Sequence, residues 1–292
     1  MTSDRASGGG TTGAAEIARW AQHFRWDRRG EGTRSGAARG RRLGVAGEFE
    51  GYRAYAPGDP LRQLDPKVYA RLRQRVVRVQ REDSALPVTL LIDRSASMGG
   101  AASERCVAEL ATFFVAVAQR HGDPLRAFTF QDGNVRAIVA DLEVGARLTA
   151  APAAGESRFG PTFRSLPAHP AGRGIVIVLS DAWGIEDADR DRAPLPRVGV
   201  PFWIAPNESV DREPPVWGAV SLTSREREPE WRGHVSATTV AEYRQQRSRY
   251  HEALARRLRG SGGDFIAIRA EESLLTHLNA IVSRGRLLAA VR

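Results

Sequence analysis

The sequence is poor in cysteine and in long apolar runs, and each shortage excludes a class of protein. With Cys106 as the only cysteine, no disulfide can form within the chain, which excludes a small fold held together by disulfides. No run of about eighteen apolar residues is present, so no membrane span is expected. The N-terminus also lacks the order of basic, apolar and small residues that marks a secretory signal. We therefore expect a cytoplasmic protein.

Lysine is also scarce, and arginine carries almost all of the positive charge. Lys67 is the only lysine among 292 residues, and the formal net charge is +9. Arginine pairs well with phosphate, so this composition is compatible with nucleic-acid binding. A GC-rich codon bias produces the same excess of arginine. Because 34 acidic residues are interspersed with the basic ones, we favour the codon explanation and keep nucleic-acid binding as an alternative.

Residues 1–42 are predicted to form a flexible tail that contains one short helix. Residues 1–13 are rich in Gly, Ser and Thr, and residues 27–42 are rich in Gly and Arg without periodicity. A helix within residues 14–26 is indicated by apolar residues at helical spacing: Ile17, Trp20, Ala21 and Phe24. We expect this helix to pack on its own domain, and the alternative is a helix that binds in a partner's groove.

From residue 87 onwards, short apolar runs alternate with amphipathic segments. The apolar runs predict three strands that are buried on both faces: Val88–Ile92, Ile175–Leu179 and Pro201–Ala205. Helices are predicted around residues 107–118, 238–258 and 271–284, and Asp132-Gly133-Asn134 predicts a hairpin turn. This alternation predicts an α/β fold over residues 87–290, with a mostly parallel sheet flanked by helices.

Polar residues follow two of the predicted strands at the point where each strand ends. Asp93, Ser95 and Ser97 alternate after the first strand, and Ser180-Asp181 follows the second. Ligands of open α/β sheets bind at this edge, and oxygen ligands suit Mg²⁺ or Mn²⁺. The alternative is structural, because Asp and Ser at a strand-to-helix turn can simply cap the helix that begins near Ala102.

Two motifs carry a resemblance to a known family. Ile92-Asp93-Arg94-Ser95-Ala96-Ser97-Met98 resembles the metal-ion-dependent adhesion site of von Willebrand factor A domains. The segment Gly47-Glu48-Phe49-Glu50-Gly51-Tyr52-Arg53-Ala54-Tyr55-Ala56-Pro57-Gly58-Asp59, with Arg62 and Leu64-Asp65, resembles the domain-of-unknown-function 58 (DUF 58) family. These bacterial proteins are of von Willebrand A type and often accompany MoxR-type AAA+ ATPases. The resemblance implies a Rossmann-like von Willebrand factor A domain over residues 87–290, preceded by a family-specific, β-rich extension over residues 43–86.

The resemblance also implies a set of site residues. The metal ligands would be Asp93, Ser95, Ser97 and Asp181, with Thr162 of Gly160-Pro161-Thr162-Phe163 as the best match to the family's second-loop threonine. In the upstream motif, the charged residues would be Arg53, Asp59, Arg62 and Asp65. We expect these four to form a buried ion network that holds the extension in place. The alternative is that they form a docking surface.

The expected function is therefore a non-catalytic, metal-dependent protein-interaction module. A partner would supply a carboxylate to the metal, and the resemblance makes a MoxR-type ATPase the expected partner. Arginine-mediated nucleic-acid binding ranks second. A metal-dependent phosphatase ranks third, because the sequence has neither the Gly-x-x-x-x-Gly-Lys phosphate loop nor the Gly-x-Ser-x-Gly nucleophile turn.

Overall fold

The computed structural model describes residues 12–27, 48–56, 59, 64–81, 85–183, 195–226, 231–284 and 286–291. Most of the predicted tail, residues 1–11 and 28–42, lies outside these ranges, and so do Pro57-Gly58 and Arg62. The chain divides into two compact units. The smaller is Thr33–Ala85, and the larger combines Met1–Gly32 with Leu86–Arg292.

The described elements are as follows in chain order. The helices are α1 (Ala14–Ala21), α2 (Pro66–Leu72), α3 (Ala101–His121), α4 (Val144–Thr149), α5 (Phe159–Ser165), α6 (Ser209–Arg212), α7 (Ala237–Gly260) and α8 (Leu274–Arg284). The strands are β1 (Phe24–Trp26), β2 (Glu48–Ala54), β3 (Val76–Arg81), β4 (Val88–Asp93), β5 (Leu125–Gln131), β6 (Asn134–Ile138), β7 (Gly174–Leu179), β8 (Gly199–Asn207), β9 (Gly218–Leu222), β10 (Trp231–Val235), β11 (Asp264–Arg269) and β12 (Leu288–Ala290).

A six-stranded sheet forms the centre of the larger unit. Its order is β11-β8-β7-β4-β5-β6, and only the β5–β6 pair is antiparallel. The predicted mostly parallel α/β sheet is thus confirmed. From β4 the chain continues to β5 on one side, while β7, β8 and β11 extend the sheet on the other. The switch in direction between β4 and β7 is the point at which ligands bind in such sheets.

Apolar side chains cover both faces of this sheet. Leu90 and Ile92 of β4 belong to the cluster that includes α3, α1 and α8, whereas Leu91 belongs to the cluster formed with α5 and α7. This division follows from the geometry of a strand, in which successive side chains point to opposite faces. The central strands are buried on both sides, as their uninterrupted apolar runs predict.

The N-terminal segment packs on its own unit. Helix α1 ends at Ala21, earlier than the predicted segment, and β1 follows because buried Phe24 and Trp26 alternate with exposed Arg25. Strand β1 pairs antiparallel with β12. Ile17 is buried in the core, and the Trp26 ring stacks on Phe114 with centroids 6.0 Å apart. The apolar face of this segment is therefore occupied by its own unit, as favoured from the sequence.

Strands β9 and β10 form a separate two-stranded antiparallel sheet. The sequence predicts a short edge strand at Trp217–Leu222, where the structure has β9. Strand β10 is not predicted, because its residues show little apolar alternation. Only Val235 of β10 is buried. The pairing joins Gly218 to Val235 and Leu222 to Trp231. Glu226, which lies in the loop after β9, contacts the candidate site described below.

In the smaller unit, β2 and β3 pair antiparallel with an irregularity between Phe49 and Gly51. Helix α2 begins at Pro66, and the Asp65 carboxylate caps it by accepting the N–H groups of Lys67 at 2.8 Å and Val68 at 3.2 Å. Proline is well suited to this first helical position, because the N–H that it lacks has no partner within the helix.

The charged residues of the upstream motif make local contacts within this smaller unit. The Tyr52 hydroxyl donates to buried Asp65 at 3.0 Å. Arg53 forms a two-pronged ion pair with Asp59, at 2.6 and 2.5 Å. Such contacts hold the motif's own chain segments together. Three arginines that follow the motif are exposed: Arg71, Arg73 and Arg75.

Candidate metal centre

The Asp93 carboxylate lies at the centre of a buried polar cluster at the end of β4. Its Oδ1 accepts the backbone N–H of Ser95 at 2.8 Å. Its Oδ2 accepts the hydroxyl of Ser180, which follows β7, at 2.7 Å and the hydroxyl of Ser157, which precedes α5, at 2.8 Å. None of these four residues is accessible to solvent. Three separate loops therefore meet at one carboxylate, at the switch point of the sheet.

The serine hydroxyls of the cluster also contact one another. Ser157 Oγ lies 2.8 Å from Ser95 Oγ, and Ser95 Oγ lies 3.2 Å from the half-buried Ser97 Oγ. The alternate spacing of Ser95 and Ser97 brings both hydroxyls to the same side of the first loop. The cluster thus presents a row of three hydroxyl oxygens beside Asp93.

Asp181, which follows Ser180, is the second carboxylate of the cluster. Burial and the nearby Asp93 charge raise its pKa to about 8, although hydrogen bonds from the Ser97 hydroxyl and the Trp183 N–H oppose the shift. Burial likewise raises the pKa of Asp93, against the hydrogen bonds from its serine partners. Burial is the larger cause of both pKa shifts, and the charge of Asp93 adds to it for Asp181.

Backbone contacts hold the loop of Ser157 against the loop of Asp93. The N–H of Ala154 donates to the Arg94 carbonyl at 2.8 Å, and the N–H of Ala96 donates to the Gly155 carbonyl at 3.0 Å. Buried Arg94 also donates to the carbonyl of Ala151. These contacts tie the two loops together independently of the serine hydroxyls.

The β5–β6 hairpin turn supports the same loop from the other side. Asp132 exchanges two hydrogen bonds with Glu156, each 2.8 Å long. Gly155 has a φ of +78°, and a Cβ there would lie 2.5 Å from Asp132 Oδ1. A side chain is therefore excluded at Gly155 both by the backbone conformation and by the packing.

Trp203 of β8 holds the loop after β7 in place. The indole N–H of this fully buried residue donates to the Ser180 carbonyl at 2.9 Å. Ala182 has a φ of +67°, a left-handed conformation that is uncommon for alanine, and its N–H donates to Ser180 Oγ at 3.1 Å. Backbone strain of this kind concentrates at functional sites, where the surrounding structure enforces it.

Thr162, the residue that resemblance suggested for the second loop, lies inside α5. Its hydroxyl donates to the carbonyl of Arg158 at 2.7 Å, one helical turn earlier. In this part of the chain, the hydroxyl that contacts Asp93 is that of Ser157. Ser157 precedes α5 as Ser95 and Ser97 precede α3, and this shared position before a helix is the sequence signal that could have identified it.

The cluster residues do not serve as helix caps. The N-cap of α3 is Gly100, which has no side chain to offer, and the Glu208 carboxylate accepts the N–H of Ser103 at 3.0 Å. Ser95 precedes the short 3₁₀ turn Ala96–Met98 without a capping bond from its side chain. The structural alternative for Asp93, Ser95 and Ser97 is therefore not what the structure contains.

Four of the predicted ligands are brought together, and one further carboxylate joins them. Asp93, Ser95, Ser97 and Asp181 lie in the cluster, whereas the upstream motif residues belong to the smaller unit. Glu226, in the loop after β9, accepts the N–H of Ser157 at 2.9 Å and that of Ser97 at 3.4 Å. No local sequence pattern marks Glu226, because its contacts lie far away along the chain.

The family model described as "Protein of unknown function DUF58" matches residues 51–257, most of the chain. The chain belongs to the DUF58 family. No match was found among curated proteins.

Two solved structures are similar to this DUF58 chain. One is an aerotolerance-related membrane protein from Bacteroides fragilis NCTC 9343 with multiple mutations to serines, and the other is the conserved hypothetical protein BatB from Bacteroides thetaiotaomicron. They are 13% and 12% identical to it, each with a TM-score of 0.37. Each match covers 68% of this chain, with 100% and 98% of the other chain respectively. At these scores neither supports an argument about function. In this DUF58 chain, no described helix is both long and apolar enough to cross a membrane.

The donor set of this DUF58 chain fits a hard divalent cation. Two carboxylates and three hydroxyls are the oxygen ligands that Mg²⁺ and Mn²⁺ prefer. Among the described residues, no group of three or more His, Cys, Asp or Glu side chains is arranged to hold a metal, so hydroxyls would have to complete the ligand set. Within the same residues, no lysine or arginine forms an ion pair with Asp93 or Asp181. A cation would offset the repulsion between these two groups.

Proposed function

We propose that this DUF58 protein is a von Willebrand factor A-type interaction module that holds one Mg²⁺ or Mn²⁺ and has no catalytic role. The observation that carries the proposal is the convergence of three loops on the Asp93 carboxylate at the switch point of the sheet. Binding sites of open α/β sheets lie at this point. The Asp-x-Ser-x-Ser resemblance supports the assignment of this cluster to a metal.

The residues that would hold the metal are Asp93, Ser95, Ser97, Ser157 and Asp181. Hydroxyl ligands donate less charge to a dication than carboxylates do, so a bound ion would supply Lewis acidity that attracts a carboxylate from a partner protein. The buried backbone contacts described above hold the serine-bearing loops in position before the ion arrives. A site built in this way loses little conformational freedom on binding.

For the partner we propose a MoxR-type AAA+ ATPase. The support is the resemblance to DUF58 proteins that accompany such ATPases, together with a site whose chemistry selects a carboxylate. The chain would then act as an adaptor, and metal binding would be a condition for the contact between the two proteins.

Calorimetry with Mg²⁺ and Mn²⁺ tests the metal, with wild type compared with Asp93→Ala. Asp141→Ala is a matched control, because it also removes an aspartate but one that is paired with Arg147 outside the cluster. We expect one ion to bind to the wild type and to the control, and none to Asp93→Ala. Failure of the wild type to bind either ion would contradict the proposal.

Retrieval with purified MoxR-type ATPase tests the partner. We expect the wild type to retain the ATPase in Mg²⁺ and to lose it in chelator, and we expect Asp93→Ala to lose it under both conditions. Equal retention by all variants would remove the role of the metal. Binding of nucleic acid that falls steeply with salt and survives chelation would instead favour the arginine-mediated alternative.

A further inference from the structure

Glu226 reaches the candidate metal centre from a part of the chain that contributes nothing else to it. Its two carboxylate oxygens contact two different loops, Oε2 with the N–H of Ser157 and Oε1 with the N–H of Ser97. The side chain is half-buried, whereas Ser95, Ser157 and Asp93 are fully buried. Glu226 therefore lies on the solvent side of the cluster, where a partner's group would approach.

Glu226 also interacts electrostatically with Asp181. Its negative charge contributes to the raised pKa of Asp181, after the larger effects of burial and of Asp93. No described lysine or arginine forms an ion pair with Glu226. Glu226 and Asp93 thus both act on Asp181, and the oxygens of Glu226 are held by the backbone N–H groups of the two serine-bearing loops.

We propose that Glu226 is an internal carboxylate of the metal site, which occupies the face that a partner's carboxylate would take and is displaced when the partner binds. The inference rests on the proposed function, because it requires the metal. Glu226 is already held by the two serine-bearing loops, and it offers a carboxylate, which is the group that the site is proposed to accept from a partner.

An internal ligand lowers the apparent affinity for a competing external one. When a site is occupied by its own side chain most of the time, the partner's affinity falls by the fraction of molecules in which the site is free. A carboxylate held in place beside the site acts at an effective concentration well above the millimolar value of a short flexible linker. Free acetate should therefore compete poorly with Glu226 in the wild type and bind readily when this carboxylate is removed.

Water-proton relaxation by bound Mn²⁺ measures this directly, because it reports how many exchangeable waters the ion keeps. The variants are Glu226→Ala and Glu226→Gln, with Glu213→Ala as a matched control at an exposed glutamate that pairs with Arg244. We expect both Glu226 variants to bind Mn²⁺ about tenfold more weakly than wild type and to gain about one exchangeable water. Millimolar acetate should then lower the relaxation in these variants and leave the wild type and the control unchanged.

The outcomes separate this inference from the proposed function. If the wild type binds Mn²⁺ and the Glu226 variants show the same relaxation and the same response to acetate, Glu226 only braces the loops and the inference is wrong. Loss of all Mn²⁺ binding in both Glu226 variants would make the residue an obligatory ligand and overturn its displacement by a partner. Failure of the wild type and the control to bind Mn²⁺ would refute the proposed function, and the inference with it.

Discussion

Replacement of Ser157 by alanine tests whether the second loop of the metal site has been located correctly. The structure and the family resemblance point to different hydroxyls: Ser157 contacts Asp93 and Ser95, whereas Thr162 donates to a helix carbonyl. Thr162→Ala is therefore the natural companion of Ser157→Ala. Each variant removes one buried hydroxyl, and only one of the two hydroxyls belongs to the cluster.

The expected losses of stability without metal follow from the partners of each hydroxyl. Ser157 lies within hydrogen-bonding distance of a buried carboxylate, and loss of such a bond costs about 1.5–3 kcal/mol. Asp93 keeps the Ser180 hydroxyl and the Ser95 N–H, so we expect the lower half of this range. Thr162 loses a bond between neutral groups, which costs about 1 kcal/mol, and alanine favours the helix by a few tenths.

The expected losses of metal affinity differ much more. Residues that only orient metal ligands contribute about 10- to 100-fold to affinity, and a direct ligand contributes at least as much. We expect Ser157→Ala to weaken Mg²⁺ or Mn²⁺ binding by at least tenfold, or about 1.4 kcal/mol, and Thr162→Ala to change it less than threefold. Calorimetry measures both affinities, and urea unfolding in chelator measures both stabilities. A large loss of affinity in Thr162→Ala, with Ser157→Ala unaffected, would refute the assignment.

Three further predictions concern the metal, the protonation of a histidine and the core. Because an ion that binds the folded state stabilises it, added Mg²⁺ should raise the melting temperature of wild type by several degrees. The melting temperature of Asp181→Asn should not change. An equal rise in both would place the ion elsewhere. Burial and the charge of Arg247 lower the pKa of His251 in the folded protein to about 4, below its value in the unfolded chain. The stability that neutral His251 contributes therefore falls as the pH drops below about 6.5. Between pH 7 and pH 5, protonation of His251 in the unfolded chain should lower the free energy of unfolding, measured with urea, by about 2 kcal/mol. His251→Gln should not show this loss. Identical pH profiles for wild type and variant would contradict the sign. Trp26→Ala should lose about 3–5 kcal/mol of unfolding free energy, because this side chain is buried. Trp217 is 62% exposed, so Trp217→Ala should lose less than about 1 kcal/mol. Similar losses in the two variants would contradict the packing of β1.

The sequence predicts the central sheet well because each of its strands is recognisable from its own residues. Val88–Ile92 and Ile175–Leu179 are short, mostly apolar runs, which suit a strand that is covered on both faces. The small β1–β12 and β9–β10 sheets are different. Their strands are short, and each pairs with a strand that is distant or weakly patterned, so local sequence does not specify which strands pair.

The same distinction applies to the candidate site. Asp93, Ser95, Ser97 and Asp181 follow strands that the sequence identifies, and the ends of neighbouring parallel strands necessarily meet at one edge of the sheet. Ser157 and Glu226 come from loops whose positions depend on tertiary contacts, such as the bonds between Asp132 and Glu156. Ser157 is marked only by its position before a helix, and no spacing rule relates Glu226 to the strand ends that it approaches.

The pairing of β1 with β12 has a consequence for how the protein is made. Phe24–Trp26 is synthesised early, whereas its partner Leu288–Ala290 leaves the ribosome much later. Contacts between segments so far apart in sequence form slowly, because a long loop must close first. Until then, the backbone of β1 lacks its pairing partner, although the Trp26 ring can already pack on Phe114 of α3. We expect the pairing of β1 with β12 to be the last step in the folding of the larger unit.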